Sequence, residues 1–204
     1  MATLYDIKPK FQALWRPLVR HLASAGITAN QVTLAAAALS LATGAALAFN
    51  PDARWALLSV PAVLFVRMAL NAIDGMLARE HGQKSALGAI LNEICDVVSD
   101  SALYLPFALV AGVSAVPLVS VTTLAIVSEM TGVVAVQIGA SRRYDGPLGK
   151  SDRAFLFGLL ALLAGCGFSL APWVDWVLWI AAVLLALTIG NRARAALAEV
   201  RSRS

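Results

Sequence analysis

Apolar residues follow two patterns along this chain. Over residues 3–22 they recur at helical spacing, with Leu4, Ile7, Phe11, Leu14, Trp15, Leu18 and Leu22 on one side and Lys8, Lys10, Arg16 and Arg20 mostly on the rest of the wheel. This predicts an amphipathic helix lying in a membrane interface and bent at Pro17. From residue 28 onward the pattern becomes six long apolar runs, near 28–49, 54–79, 86–112, 114–140, 154–171 and 173–191. Each is close to or above the ~20 residues a helix needs to cross a bilayer. Only a short turn at Ala171-Pro172 divides the last two. The expected fold is therefore all-α and integral to the membrane: six transmembrane helices plus an N-terminal interfacial helix. It forms one domain over 1–204, with the interfacial helix at 3–22 and the six-helix bundle at 28–195.

Composition agrees with lipid as the solvent. Hydrophobic residues make up 59% of the 204 and charged residues only 14%, with a mean hydropathy of +0.76, whereas soluble domains carry about 25% charge. The net charge of +4 would suggest nucleic acid in a soluble protein, but here the cations sit between apolar runs, so membrane lipids are the expected partner and nucleic acid is not. Of the 16 Lys and Arg residues, four lie in the N-terminal segment, two (Arg79, Lys84) in the second connection, four (Arg142, Arg143, Lys150, Arg153) in the fourth and four in the C-terminal tail. Only Arg54 and Arg67 lie elsewhere, which places both termini on the cytoplasmic side by the positive-inside rule. Asp6, Lys8 and Lys10 precede any apolar run of signal length, so no cleavable signal peptide is expected. Cys95 and Cys166 lie in apolar runs without a CxxC pattern and read as reduced core residues.

Arg67, Asp74, Glu93, Asp96, Asp100 and Glu129 lie inside the apolar runs. Each charge at the bilayer centre costs about 2.5–3.5 kcal/mol even on lenient scales. They must face one another, water or a metal, and a purely structural ion-pair cluster is the plainer alternative. Arg67, Asn71 and Asp74 share one face of the second run, and Asn92, Asp96 and Asp100 share one face of the third. The turn between these runs is short, so the helices are antiparallel and residues with a constant index sum lie at equal depth. This predicts three layers: Asp74 with Asn92, Asn71 with Asp96, and Arg67 with Asp100 as a structural ion pair. An all-oxygen donor set suits Mg²⁺ or Mn²⁺ rather than zinc. Gly75 and Gly88 flank these groups and allow either close approach of a ligand or plain helix packing. Arg79 could clamp phosphate oxygens or snorkel.

The stretch Asn71 to Asp96 spells N-x-x-D-G-x-x-A-R, eight residues, then G-x-x-x-N-x-x-x-D. It closely resembles the signature of the CDP-alcohol phosphatidyltransferases, D-x-x-D-G-x-x-A-R…G-x-x-x-D-x-x-x-D, with matching spacing throughout, and the resemblance covers essentially the whole chain. It implies transfer of a phosphatidyl or similar group from a CDP-linked lipid, usually CDP-diacylglycerol, to an alcohol acceptor with release of CMP, in phospholipid biosynthesis. It implies one or two Mg²⁺ or Mn²⁺ ions at Asn71, Asp74, Asn92 and Asp96, and Asp96 as general base, with Glu93 as the neighbouring alternative. Donor contacts are implied at Asn30, Thr33, Gly75, Ala78, Arg79 and Ser85, with Gly88 beside them. A homodimer in the bacterial inner membrane, with its active site facing the cytoplasm, is the further implication. Asn71 and Asn92 stand where the family has aspartates, which removes two negative charges.

Arg142, Arg143, Lys150 and Arg153, with Glu129, form a candidate acceptor-binding set whose cations would suit a phosphorylated alcohol; positive-inside bias alone is the alternative. Glu129 reads either as a contact to the acceptor hydroxyl or as a second partner for Arg67. Two rival functions differ in what they require. A transporter would line a path with polar groups or break its helices at the midplane. A catalytically degenerate relative would bind CDP-lipid without turnover.

Overall fold

The computed structural model describes residues 4–203, with side chains from Gln12 onward. Seven α-helices follow in order: α1 Leu4–Ser24, α2 Ala29–Phe49, α3 Arg54–Glu80, α4 Ala86–Tyr104, α5 Ala115–Gln137, α6 Lys150–Gly165 and α7 Val174–Arg201. A 3-10 helix, Leu105–Leu109, follows α4. Among the described residues there is no strand. The all-α class and the helix order agree with the apolar runs, while several boundaries differ.

The chain divides into two compact units, one of residues 1–42 and 62–99, the other of 43–61 and 100–204, and α2, α3 and α4 each contribute to both. In the first unit, Val19, Ala29, Val32, Ile73, Met76 and Leu77 form a buried cluster, with Trp15, Leu22, Ala23 and Ala78 against it. The apolar stripe of α1 is therefore shared: Trp15, Val19 and Leu22 pack on α2 and α3, whereas Leu14 and Leu18 are exposed. Its N-terminal part, including the predicted positions Leu4, Ile7 and Phe11 and the cations Lys8 and Lys10, lies outside the residues with described side chains. Arg16 fixes this packing through Nε and Nη2, which donate to Glu80 at 3.2 and 3.1 Å. At the start of α2, Thr28 and Gln31 cap each other's backbone N–H reciprocally, at 3.3 and 2.9 Å.

In the second unit, the Tyr104 ring stacks on Phe157 at 3.9 Å between centroids, and Phe107 meets the same ring edge-on at 5.4 Å. α5 and α7 pack along each other. Gly44 of α2 faces the backbone of Ala102 on α4 so closely that a Cβ there would sit 2.0 Å from the carbonyl oxygen.

Three predicted runs need correction. The run 86–112 is not one helix: α4 stops at Tyr104, because Pro106 has no N–H and disfavours α geometry in the residue before it. The run 154–171 becomes α6, which begins at Lys150, ends at Gly165 and has 16 residues. At 1.5 Å per residue it is about 24 Å long, below the ~30 Å of a hydrocarbon core. The last run extends to Arg201, because Ala-, Arg- and Glu-rich sequence continues a helix readily. By length and composition, α2, α3, α5 and α7 are long and apolar enough to cross a membrane. α4 carries Glu93, Asp96 and Asp100, and α6 is short, so four of the six expected spans meet that criterion. Both cysteines are free thiols, but Cys166 is exposed at the C-cap of α6 and Cys95 only half-buried, so neither is a core residue.

Gly44→Ala is expected to destabilise the protein by about 1–3 kcal/mol, the usual cost of overpacking, because the obstructing atom is backbone. Gly190→Ala, whose Cβ meets nothing within 4 Å on α7, is expected to be neutral or to stabilise by up to about 1 kcal/mol. Thermal unfolding of the two variants in detergent distinguishes them.

Candidate active site

The first unit holds the polar faces of α3 and α4. Arg67 and Asp74 are buried, while Asn71, Asn92, Glu93 and Asp96 are half-buried. Arg67 Nη2 donates to the backbone oxygen of Asp96 at 3.1 Å and lies 3.5 Å from its carboxylate Oδ1. This contact joins α3 to α4 one helical turn from the level expected for Arg67, a distance the long arginine side chain covers. Asp74 is held from α2: Thr33 Oγ1 lies 2.7 Å from Asp74 Oδ2 and 3.1 Å from the Ala29 carbonyl. A hydroxyl has one hydrogen, and the charged acceptor at the shorter distance is the stronger claimant.

Most of the expected donor-binding residues come together in smaller groups. Ser85 caps α4, its Oγ accepting from Gly88 N–H at 2.9 Å. A Cβ at Gly88 would lie 2.8 Å from Asn30 Oδ1 and 3.0 Å from Ser85 Oγ, so Asn30, Ser85 and Gly88 share one small site. A Cβ at Gly75 would lie 3.0 Å from both terminal nitrogens of Arg79, whose guanidinium folds back over the glycine. Thr33 belongs with Asp74. Ala78 packs toward the apolar cluster beneath α1. Gln83, which sequence reasoning did not single out, bridges the start of α2: its Oε1 accepts from Ala29 N–H at 2.7 Å and its Nε2 donates to the Ile27 carbonyl at 3.3 Å.

Among the described residues no three His, Cys, Asp or Glu side chains converge as a metal site. The expected set instead offers the carboxylates of Asp74 and Asp96 and the amide oxygens of Asn71 and Asn92. This hard, all-oxygen donor set fits Mg²⁺ or Mn²⁺.

The second unit gathers two of the expected acceptor residues, Arg142 and Arg153, around Glu129. Arg153, fully buried on α6, donates through Nη2 to Asp100 Oδ2 at 3.1 Å and to Glu129 Oε1 at 3.0 Å. Arg142 lies 3.3 Å from Glu129 Oε2 and 4.5 Å over the Tyr144 ring. Arg192, counted by sequence as part of the tail, is buried on α7, 3.4 Å from Glu129 Oε1 and bonded to the Ser128 carbonyl. The signal for it was present: Ala181, Leu185, Thr188, Arg192 and Ala196 recur on one buried helical face. Three guanidinium groups thus converge on Glu129, and Arg153 links it to Asp100. Two nitrogens of Arg153, Nε and Nη1, are buried without a hydrogen-bond partner.

Arg143 is turned elsewhere. It forms two bonds to Asp145, at 2.8 and 2.9 Å, and one to Glu199 at 3.0 Å. The hydrogen bond from Arg143 holds the Asp145 carboxyl below its ordinary range. These contacts make Arg143 a brace between the loop and α7 rather than an open acceptor contact. Lys150 is half-buried at the start of α6. Arg67 and Asp100, expected as a pair, each have a charged partner that sequence reasoning did not assign, Asp96 for the first and Arg153 for the second.

Comparison with known proteins adds to this geometry. A family model described as CDP-alcohol phosphatidyltransferase matches residues 26–188. The chain is 49% identical over 199 residues to the inner membrane protein YnbA of Escherichia coli, covering 96% of each chain. It is 29% identical over 193 residues to the phosphatidylinositol phosphate synthase of Mycobacterium marinum, covering 89% of this chain and 79% of that one. The fold matches crystal structures of the Mycobacterium tuberculosis phosphatidylinositol phosphate synthase PgsA1. The form with manganese and citrate gives a TM-score of 0.73 at 22% identity, over 89% of this chain and 88% of that one. The form with CDP-DAG bound gives 0.72 at 22% identity, over 90% and 92%.

Glu129→Gln removes the anion shared by three guanidinium groups. A loss of about 3–5 kcal/mol is expected, the usual cost of breaking a buried pair. Melting of the variant in detergent at the parent temperature contradicts this.

Proposed function

The chain belongs to the CDP-alcohol phosphatidyltransferase family, and from that premise we propose that it moves a phosphatidyl or related group from CDP-diacylglycerol, or a similar CDP-linked lipid, to an alcohol acceptor. The observation that carries this reading is that motif aspartates make interhelical contacts, Thr33 of α2 with Asp74 of α3 and Arg67 of α3 with Asp96 of α4. The relative named an inner membrane protein, at 49% identity, and the four long apolar helices support a multi-pass place in a bacterial inner membrane. The charge pattern supports both termini and the active site on its cytoplasmic side.

Asp74, Asp96, Asn71 and Asn92 would hold Mg²⁺ or Mn²⁺, and a divalent ion in such a site neutralises pyrophosphate charge as it builds on the departing CMP. The acceptor hydroxyl gives its proton to the Asp96 carboxylate, with Glu93 as the neighbouring alternative base. Its oxygen bonds to the lipid-bearing phosphorus, the bridging P–O bond breaks, and the bridging oxygen leaves on CMP. Thr33 orients Asp74, and Arg67 aims the Asp96 carboxylate. Arg79, Gly75, Asn30, Ser85 and Gly88 bind the donor's cytidine diphosphate. The buried group in which Arg142, Arg153 and Arg192 converge on Glu129 suits an acceptor that carries an anionic group, because guanidinium groups pair with carboxylate or phosphate oxygens.

Charge also limits the metal content. One divalent ion would be neutral with the Asp74 and Asp96 carboxylates and would leave +1 when Arg67 is counted. Two ions would leave +3, which Glu93 beside the set would lower only to +2. Buried charge of that size is prohibitive without a compensating anion, so one ion resides in the protein and a second requires the donor's pyrophosphate. A second reading follows from the same two amides: a degenerate protein that binds CDP-lipid and does not turn it over.

With CDP-diacylglycerol, Mg²⁺ or Mn²⁺ and a panel of alcohols in detergent, CMP release is expected, and Asp96→Asn is expected to slow it by about 10²–10⁴-fold, the usual range for a general base. Donor binding without CMP release for any acceptor, together with activity gained in Asn71→Asp/Asn92→Asp, selects the degenerate reading. Metal analysis of the donor-free protein is expected to find one Mn²⁺ per chain, and more in the double aspartate variant. Two ions in the parent protein contradict the charge argument.

A further inference from the structure

We propose that Gln83 is a positioning residue for the donor's nucleotide: its amide clamps the α3–α4 loop to the first turn of α2 and so sets the spacing between Asn30 and Ser85. The inference rests on the reading above, in which Asn30, Ser85 and Gly88 receive the cytidine diphosphate.

The first N–H groups of a helix have no intrahelical acceptor. In α2 the cap made by Thr28 and Gln31 serves the N–H groups of those two residues, and leaves that of Ala29 to be met from elsewhere. Gln83 Oε1 accepts it at 2.7 Å, and Gln83 Nε2 returns a bond to the Ile27 carbonyl at 3.3 Å. One planar amide thus grips the backbone on both sides of Thr28, just where α2 begins, from a loop more than fifty positions away in sequence. Asn30 follows Ala29 directly, and Ser85 lies two residues after Gln83.

Between these two anchors the tolerance is small. Asn30 Oδ1 and Ser85 Oγ both lie against Gly88, at 2.8 and 3.0 Å from where a Cβ would stand. Ser85 is also tied to the α4 backbone through Gly88 N–H. The loop has little else to hold it: His81, Gly82, Lys84 and Ser85 are exposed, and Gln83 alone of the five is half-buried. Replacing the amide frees the loop without removing any group assigned to touch the nucleotide or the metal. The loss should therefore appear in donor affinity and leave the chemical step alone.

The test is CDP binding to the detergent-purified full chain with Mn²⁺, by calorimetry, with melting temperature measured in parallel. Wild type is expected to bind CDP. Gln83→Ala is expected to bind about ten-fold more weakly, a loss on the scale of one to two hydrogen bonds. Gln83→Glu keeps the acceptor for Ala29 N–H and is expected to recover part of that loss. If a CMP-release assay is in hand, KM for CDP-lipid should rise in Gln83→Ala with kcat unchanged. Failure of the wild type to bind CDP overturns the donor-site reading itself. Wild-type affinity in Gln83→Ala, or a lowered melting temperature with affinity intact, overturns the role assigned to Gln83 alone. Should Gln83→Ala not fold, Gln83→Glu carries the test: a measurable fall in CDP affinity is expected, and unchanged affinity overturns the proposal.

Discussion

An ionised carboxylate inside an apolar helical bundle must find a partner or give up its charge, and the candidate active site is arranged around that constraint. Asp74 is buried and takes its hydrogen bond from Thr33; Asp96 is half-buried and has the Arg67 guanidinium beside it. Each contact joins two helices, so the groups that make the site chemically competent also fix α2, α3 and α4 in register. Asp74 accepts from the neutral Thr33 hydroxyl, and the Asp96 carboxylate lies 3.5 Å from Arg67 Nη2.

The same logic operates with the opposite sign around Glu129. There one carboxylate meets Arg142, Arg153 and Arg192, and Arg153 also reaches Asp100. One unit of the protein thus concentrates carboxylates and amides suited to a metal and a nucleotide diphosphate, while the other concentrates guanidinium groups suited to an anion.

Much of this was legible in the sequence because lipid makes polar residues conspicuous. Asp74 and Asp96 stood out as charges within apolar runs, and helical spacing placed each on the face it occupies. Gly75 and Gly88 were visible from their places in the motif. What was hidden had specific causes. Arg192 looked like part of a basic tail because its helix continues ten residues beyond the apolar run, and only the spacing from Ala181 to Ala196 marked it as inward-facing. Arg143 looked like an acceptor contact because the sequence does not reveal that Asp145 and Glu199 engage it. Gln83 gave no signal, since a glutamine in a polar turn is unexceptional until its amide is seen to meet the backbone of a distant helix. The α4 boundary was missed because apolar sequence continues past the point where Pro106 ends the helix.

The account stands on Asp74 and Asp96 holding a cation that grips the donor's pyrophosphate. The most direct measurement is electron–nuclear double resonance on the Mn²⁺-loaded protein with CDP-diacylglycerol. Phosphorus couplings of directly coordinated phosphate oxygens are expected, and they should vanish in Asp74→Asn. Manganese that shows no phosphorus coupling, or the same coupling in the variant, would contradict it.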